Sequence, residues 1–273
     1  MAVTIQEIRQ AIHNSGLSNH ALCLHSSLRS FGWVEGGAPI ILQGLLAEAC
    51  TVLVPTFSWD AFSVPAPLEM RPVRNGYSYT KLRPPLPGAN RIYTPETQEI
   101  DEDMGAIPVS VVNHPQHVRG NHPLCSFTSV GPHAKSLVAA QGPLQIFSPL
   151  EALAAAQGWI ILMGVGLESM TLIHLAEQKA GRRMFRRWAN GPDGRPMEVE
   201  VGGCSNGFEQ ISSLLTPLEK QIQVGQSLWR IFPAQDTLEI AQKAIQQNPY
   251  VTHCSDEACG RCDDAISGGP LTS

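Results

Sequence analysis

Two residues three apart, His174 and Glu177 in "TLIHLAEQKAGRR" (171–183), have the types and spacing of a base held by an acid. On a helix, side chains at i and i+3 lie near one line, so this imidazole and carboxylate can hydrogen-bond. Such a bond fixes the ring's tautomer and raises its basicity, as proton abstraction requires. Ile173, Ala176 and Ala180, with Leu172 beside them, form an apolar stripe for packing; Thr171, His174, Glu177 and Gln178 follow the opposite face. Taken alone, the segment's simplest reading is a solvated face with a pair worth about 0.2–0.5 kcal/mol.

Other stretches carry chemistry of their own. "HSSLRSFGWVEGG" (25–37) runs from a strand end through small polar residues and glycines, exposing backbone N–H groups suited to phosphate oxygens. It has neither GxGxxG nor GxxxxGK[ST] spacing, and an ordinary capped turn explains it equally. In "RGNHPLCSF" (119–127), Arg119 offers a planar fork to a phosphate. His122 reads foremost as a structural histidine, and Cys125 as a buried small residue, since no local base activates it. "HCSDEACGRCDD" (253–264) spaces Cys254, Cys259 and Cys262 as C-x4-C-x2-C beside His253, a structural zinc clip with its fourth ligand open. "GCSNG" (203–207) matches the GxSxG elbow of serine hydrolases, though only His253 follows Ser205. The acidic run "ETQEIDEDMG" (96–105) presents Glu99, Asp101, Glu102 and Asp103 to a polycation, or forms a solvated edge.

The elements that must position these residues alternate between strand and helix. "MAVTIQEIRQAIHNSG" is an amphipathic helix with Ile5, Ile8 and Ile12 on one side and Gly16 as its stop. "ALCLHSS" (21–27), "APIILQGLLAEA" (38–49) and "TVLVPTFS" (51–58) make a β–α–β unit, so an α/β class is expected. "SPLEALAAAQG" (148–158) is a helix, "WIILMGVG" (159–166) a buried strand, and "DTLEIAQKAIQQ" (236–247) a helix capped by Asp236. Residues 197–232 read as strands with connecting segments and one helix. Residues 59–103 break the pattern with Pro, Gly and Asn, and a loop of that length is usually a lid or binding wall. Strands ending in "LHSS", "VPTFS" and "MGVG" bring polar residues to carboxyl ends, where α/β folds gather their sites. The expectation is one α/β/α domain over residues 1–273, with a central mixed sheet and an irregular insert at about 59–103.

Composition narrows the function. The 273 residues are 43% hydrophobic and 16% charged, which describes a globular chain. A net charge of -5 argues against nucleic acid and is compatible with a cationic ligand. No apolar run approaches the roughly 20 residues that span a bilayer, and no leader is expected at the N-terminus. Seven cysteines, an odd number and mostly scattered, suit free thiols in a reducing cytoplasm.

Together, "LHSSLRSFGWVEGG", "VLVPTFS", "MGAIP", "RGNHPLCSFTSVGP", "SPLEAL" and "LMGVGLESMTLIHLAE" resemble the aminoglycoside 3-N-acetyltransferases, antibiotic acetyltransferases outside the GNAT superfamily. The pieces follow the family order from the first strand to residue 177. The resemblance implies acetyl transfer from acetyl-CoA to an amine of a 2-deoxystreptamine antibiotic, with His174 as base, Glu177 as its partner and Thr171 beside them. It implies a cofactor site at His25, Ser26, Ser27, Leu28, Arg29, Thr56, Phe57, Ser58, Arg119 and Ser126; the acidic run, read from its charge, sets Asp101, Glu102 and Asp103, with Glu177, against a polycationic aminoglycoside. Gly120 stands where the family usually has Ser, and Val109 where many members carry Glu. Direct transfer needs no acyl-enzyme, since holding both substrates together suffices. The alternatives are an acetyltransferase for another small amine, a zinc-clipped binding protein, and the Ser205 hydrolase.

Overall fold

The computed structural model describes residues 2–79 and 91–271, so residues 80–90 of the expected insert lie outside it. Helix α1 (Ile5–Asn14) starts in a capping box: Thr4 accepts from the Glu7 N–H, and the Glu7 carboxylate accepts from the Thr4 N–H. Strand β1 (Ala21–Ser26), helix α2 (Ala38–Ala47) and strand β2 (Thr51–Pro55) form the expected unit, with β1 and β2 parallel neighbours. Then come α3 (Trp59–Phe62), β3 (Ser63–Val64), α4 (Ala106–Val112), β4 (Val118–Arg119), β5 (Phe127–Val130), α5 (Ala134–Val138) and α6 (Ser148–Ala155). Strand β6 (Trp159–Met163), α7 (Leu172–Lys179), β7 (Phe185–Asn190), β8 (Pro196–Val201) and α8 (Ser212–Leu215) follow. The chain closes with β9 (Lys220–Val224), β10 (Ser227–Pro233), α9 (Ala234–Gln247) and α10 (Gly260–Ile266).

The central sheet has the order β4-β5-β2-β1-β6-β10-β9. β2, β1 and β6 run parallel and the outer pairs antiparallel, so the sheet is mixed, as expected. Alternation along its buried strands divides the core in two. Cys23, Ile160 and Leu162 point to the face covered by α5, α6, α7 and α9; Leu22, Leu24, Ile161 and Met163 point to the face covered by α1, α2 and α4.

Three features depart from the expectations. A second, three-stranded antiparallel sheet, β3-β7-β8, pairs the start of the insert with residues 185–201. β3 is two residues long, too short for alternation to reveal it. The insert also folds back on itself, because the Asp101 carboxylate accepts from the N–H groups of Trp59 and Asp60 at 2.9 and 3.1 Å and caps α3. At the other end of the chain, α9 starts directly after Pro233, two residues before the expected cap; Asp236 lies inside its first turn, where a carboxylate favours the helix dipole. No helix among the described residues is long and apolar enough to cross a membrane.

Candidate active site

A cleft of about 520 Å³ opens where β1, β2 and β6 end. His25 and Ser26 come from the end of β1, Pro55 and Phe57 from the end of β2, and Glu168, Ser169 and Thr171 from the turn after β6. The chain leaves β6 through Gly164 in the left-handed region (φ +69), where a Cβ would collide with Ser30. That turn delivers α7, and with it His174, to the wall of the cleft.

His174 is not on a solvated face. It is 9% exposed and Glu177 4%, and the ring Nδ1 lies 2.7 Å from Glu177 Oε2. The whole run from Leu172 to Glu177 is buried, so the face opposite the apolar stripe meets protein and the cleft. Phe147 lies parallel to the imidazole at 6.1 Å, and Phe208 meets it edge-on at 4.7 Å. Behind the pair, Glu177 Oε1 accepts from Arg182 and, at 3.1 Å, from the Thr252 hydroxyl; Arg182 also donates to Thr252 and to the Pro249 carbonyl. The buried carboxylate therefore faces a buried cation, the condition under which a charge tolerates loss of water. With Nδ1 engaged, Nε2 is the ring nitrogen available to the cleft that His174 lines. Gly202 comes so close that a Cβ there would sit 2.9 Å from His174 Cδ2 and 3.1 Å from Nε2.

The other expected site residues separate into two groups. His25, Ser26, Phe57, Asp103 and Thr171 line the cleft with His174, and the hydroxyl of Thr171 is not used to cap α7. His25 is buried, and burial pushes its pKa down to about 4, which keeps the ring neutral. Arg119, Thr56, Ser58 and Ser126 turn inward instead. Arg119 is 4% exposed and donates from all three nitrogens, to Ser126 Oγ at 2.9 Å, the Thr56 carbonyl at 2.7 Å, and the Thr97 and Glu99 carbonyls. Expected as a phosphate clamp, the guanidinium here spends its donors bracing the insert against β2 and β5. Ser27, Leu28 and Arg29 lie in and before the short 3-10 turn after β1, beyond the cleft lining, with Arg29 exposed. Asp101 is engaged as the α3 cap, and Glu102 is exposed away from the lining.

His122 accepts from the N–H groups of Leu124 and Cys125 through Nδ1 and donates through Nε2 to the Glu200 carbonyl at 2.8 Å, the structural role expected of it. Cys125 lines the cleft, but burial pushes its thiol well above the ordinary range, away from a nucleophile's thiolate. A Cβ at Gly120 would collide with Gln141, whose amide bonds the backbone of Phe127, Cys125 and Ile146; this chain's glycine makes room for that side chain. Ser205 lines the cleft too, but β8 before it belongs to the small antiparallel sheet, so the strand-to-helix elbow of a hydrolase is not formed.

Residues overlooked in the sequence are Phe147, Phe208, Gly202, Arg182, Thr252 and Glu168. The Gly202–Gly203 pair was the one local signal, since paired glycines mark a close backbone approach. Cys254, Cys259 and Cys262 do converge. Cys204 joins them, with all four sulfurs within 4.8 Å of one another, whereas His253 turns its Nδ1 to the Cys254 carbonyl.

A family model described as aminoglycoside 3-N-acetyltransferase matches residues 23–246. The chain belongs to that family. As a member of the aminoglycoside 3-N-acetyltransferase family it is an acyltransferase, and the expectation of a binding protein without turnover falls. It is 29% identical to the prophage-derived aminoglycoside N(3')-acetyltransferase-like protein YokD of Bacillus subtilis, over 90% of this chain and 93% of that one. It is also 29% identical to aminoglycoside N(3)-acetyltransferase III of Serratia marcescens, over 90% and 98%. The fold matches the crystal structure of aminoglycoside acetyltransferase AAC(3)-IVa with a TM-score of 0.77 at 21% identity, covering 98% of each chain. A mutant of that enzyme is known in complex with apramycin, and it matches with a TM-score of 0.70 at 21% identity, over 92% of this chain and 95% of that one.

Proposed function

We propose that this protein transfers the acetyl group of acetyl-CoA to the 3-amino group of a 2-deoxystreptamine aminoglycoside, with His174 as general base. The observation that carries the reading is the His174–Glu177–Arg182 chain, buried at one end and lining the cleft at the other. Glu177 holds the Nδ1–H tautomer and offsets the charge that appears when Nε2 takes a proton. Phe147 and Phe208 fix the plane of the ring.

The chemistry sets the requirement. An aliphatic amine is largely protonated at neutral pH and cannot attack a carbonyl until it gives up a proton. His174 accepts that proton and is placed to return it to the sulfur that leaves, a role worth roughly 10²–10⁴-fold in rate. Acetyl-CoA, when bound, supplies a thioester whose carbonyl carbon takes the amine nitrogen as its C–S bond breaks. Thr171, at the start of α7, offers a hydroxyl to the carbonyl oxygen as negative charge builds there. His25 and Ser26 at the end of β1 and Phe57 beyond β2 line the acetyl-CoA side. Asp103 and Glu168 also line the cleft and are the carboxylates suited to the cationic antibiotic. The free thiols suit work in a reducing cytoplasm.

The test is product chemistry. Purified protein with acetyl-CoA and a panel of aminoglycosides should release free thiol, with mass spectrometry locating the acetyl group on the 3-amino nitrogen. Turnover confined to simple amines would move the acceptor to another class, and no thiol release with any amine would reject the reading.

A further inference from the structure

We infer that Cys204, Cys254, Cys259 and Cys262 bind one zinc ion as four thiolates, and that this clip holds the wall against which the His174–Glu177 pair is set. The residues arrive from separate places. Cys204 follows β8, Cys254 follows the 3-10 turn at Pro249–Thr252, Cys259 immediately precedes α10 and Cys262 lies in its first turn. Their sulfurs nevertheless lie within 4.8 Å of one another. A tetrahedral site with Zn–S bonds near 2.3 Å separates its sulfurs by about 3.8 Å, and the Cys254 and Cys262 sulfurs are 3.7 Å apart. That separation is far beyond a disulfide bond of about 2.05 Å. The Cys254 N–H points to Cys262 Sγ at 3.5 Å, the kind of donor that steadies a metal-bound sulfur. Cys204, Cys254 and Cys262 are buried, so solvent reaches the group mainly beside Cys259.

The donor set selects the metal. Four soft thiolates in a closed tetrahedron suit zinc and leave no position for water, so the site is structural. Each thiol gives its proton to solvent on binding, and the four thiolates with one divalent ion carry a net charge of about -2. Arg261 stands between two of the ligands in sequence, and Arg182 shares a small internal cavity with Cys204 and Cys262.

That cavity links the clip to the pair. It is lined by Glu177, Arg182, Cys204, Thr252 and Cys262. Thr252, two residues before Cys254, donates to Glu177 at 3.1 Å. Gly202, two residues before Cys204, passes so near the His174 ring that a Cβ there would sit 2.9 Å from it. The ion therefore ties together the two strands of chain that support the imidazole from the side and from behind.

The test uses the full-length protein purified without chelator. Elemental analysis should give about one zinc per chain, and the cobalt-substituted protein should show the intense d–d bands and thiolate charge-transfer absorption of a tetrahedral four-sulfur site. Cys204→Ser should lose the metal and His253→Ala should retain it. The cobalt spectrum of the wild-type chain keeps the test open if a variant does not fold. Chelator-stripped protein should lose kcat by about tenfold or more while KM for acetyl-CoA changes less. Protein without stoichiometric metal, an intact mass showing a disulfide among these residues, or a zinc that depends on His253 and survives Cys204→Ser would overturn the site. Unchanged kcat after complete stripping would overturn its link to the pair. Metal content and spectrum are read without turnover, so their outcome is independent of the proposed acetyl transfer.

Discussion

An imidazole buried between two phenylalanine rings, with one nitrogen bonded to a carboxylate, has little freedom left, and its direction is set by what touches it. Gly202 is the most sensitive of those contacts, because any side chain there enters the space of the His174 ring. Gly202→Ala should therefore lower kcat by roughly tenfold to a hundredfold in steady-state assays while leaving the circular dichroism spectrum intact. A variant with wild-type kcat would show that ring position matters little. The His–Glu spacing was legible in the sequence because it is local, three residues on one helix. Arg182 and Thr252 were not, since Thr252 meets Glu177 across 75 residues and its sequence neighbours give no hint of the contact.

At the scale of elements, the question is what keeps an irregular insert in register with the sheet. Arg119 answers it from β4, bonding the β2 end through Thr56, the β5 start through Ser126, and the insert through Thr97 and Glu99. Burial lowers its pKa, the expected direction for a cation taken out of water. Arg119→Met should cost roughly 3 kcal/mol in urea unfolding by removing the donor shared by the buried Ser126 hydroxyl and Thr56 carbonyl and the half-buried Thr97 carbonyl. Wild-type stability combined with a raised KM for acetyl-CoA would instead restore the phosphate clamp. The βαβ unit was readable because β1, β2 and β6 are short, nearly continuous apolar runs, the pattern of strands buried on both faces. The second sheet was not, since β7 reads "FRRWAN" and its arginine side chains find their partners, Glu200 for Arg186 and the Asn75 carbonyl for Arg187, only in three dimensions. The Cys254–Cys262 spacing suggested a metal clip, while Cys204 looked like one more scattered thiol.

For the molecule as a whole, two buried neutral histidines set its acid limit. Burial pushes His25 and His122 down to about 4 from an ordinary 6.5, so the unfolded chain binds protons there that the folded chain refuses. Their contribution is complete above pH 6.5 and is lost as pH falls toward 4, on the order of 3 kcal/mol each over that window. Urea midpoints should decline steadily from about pH 7 to about pH 4; a flat profile would mean that both rings take up protons in the folded state, and a decline of half the size that one of them does. The depressed carboxylates, such as Glu48 and Glu99, add stability that is present above 4.5 and is lost as pH falls further, so they steepen only the acid end of the decline. Proposed turnover rests on proton transfer at a single ring. The most direct test is kcat with acetyl-CoA and an accepted aminoglycoside for His174→Ala, alongside calorimetric binding of acetyl-CoA to the same variant. A loss of about 10²–10⁴-fold in kcat with acetyl-CoA still bound is the predicted result, and turnover at the wild-type rate would contradict it.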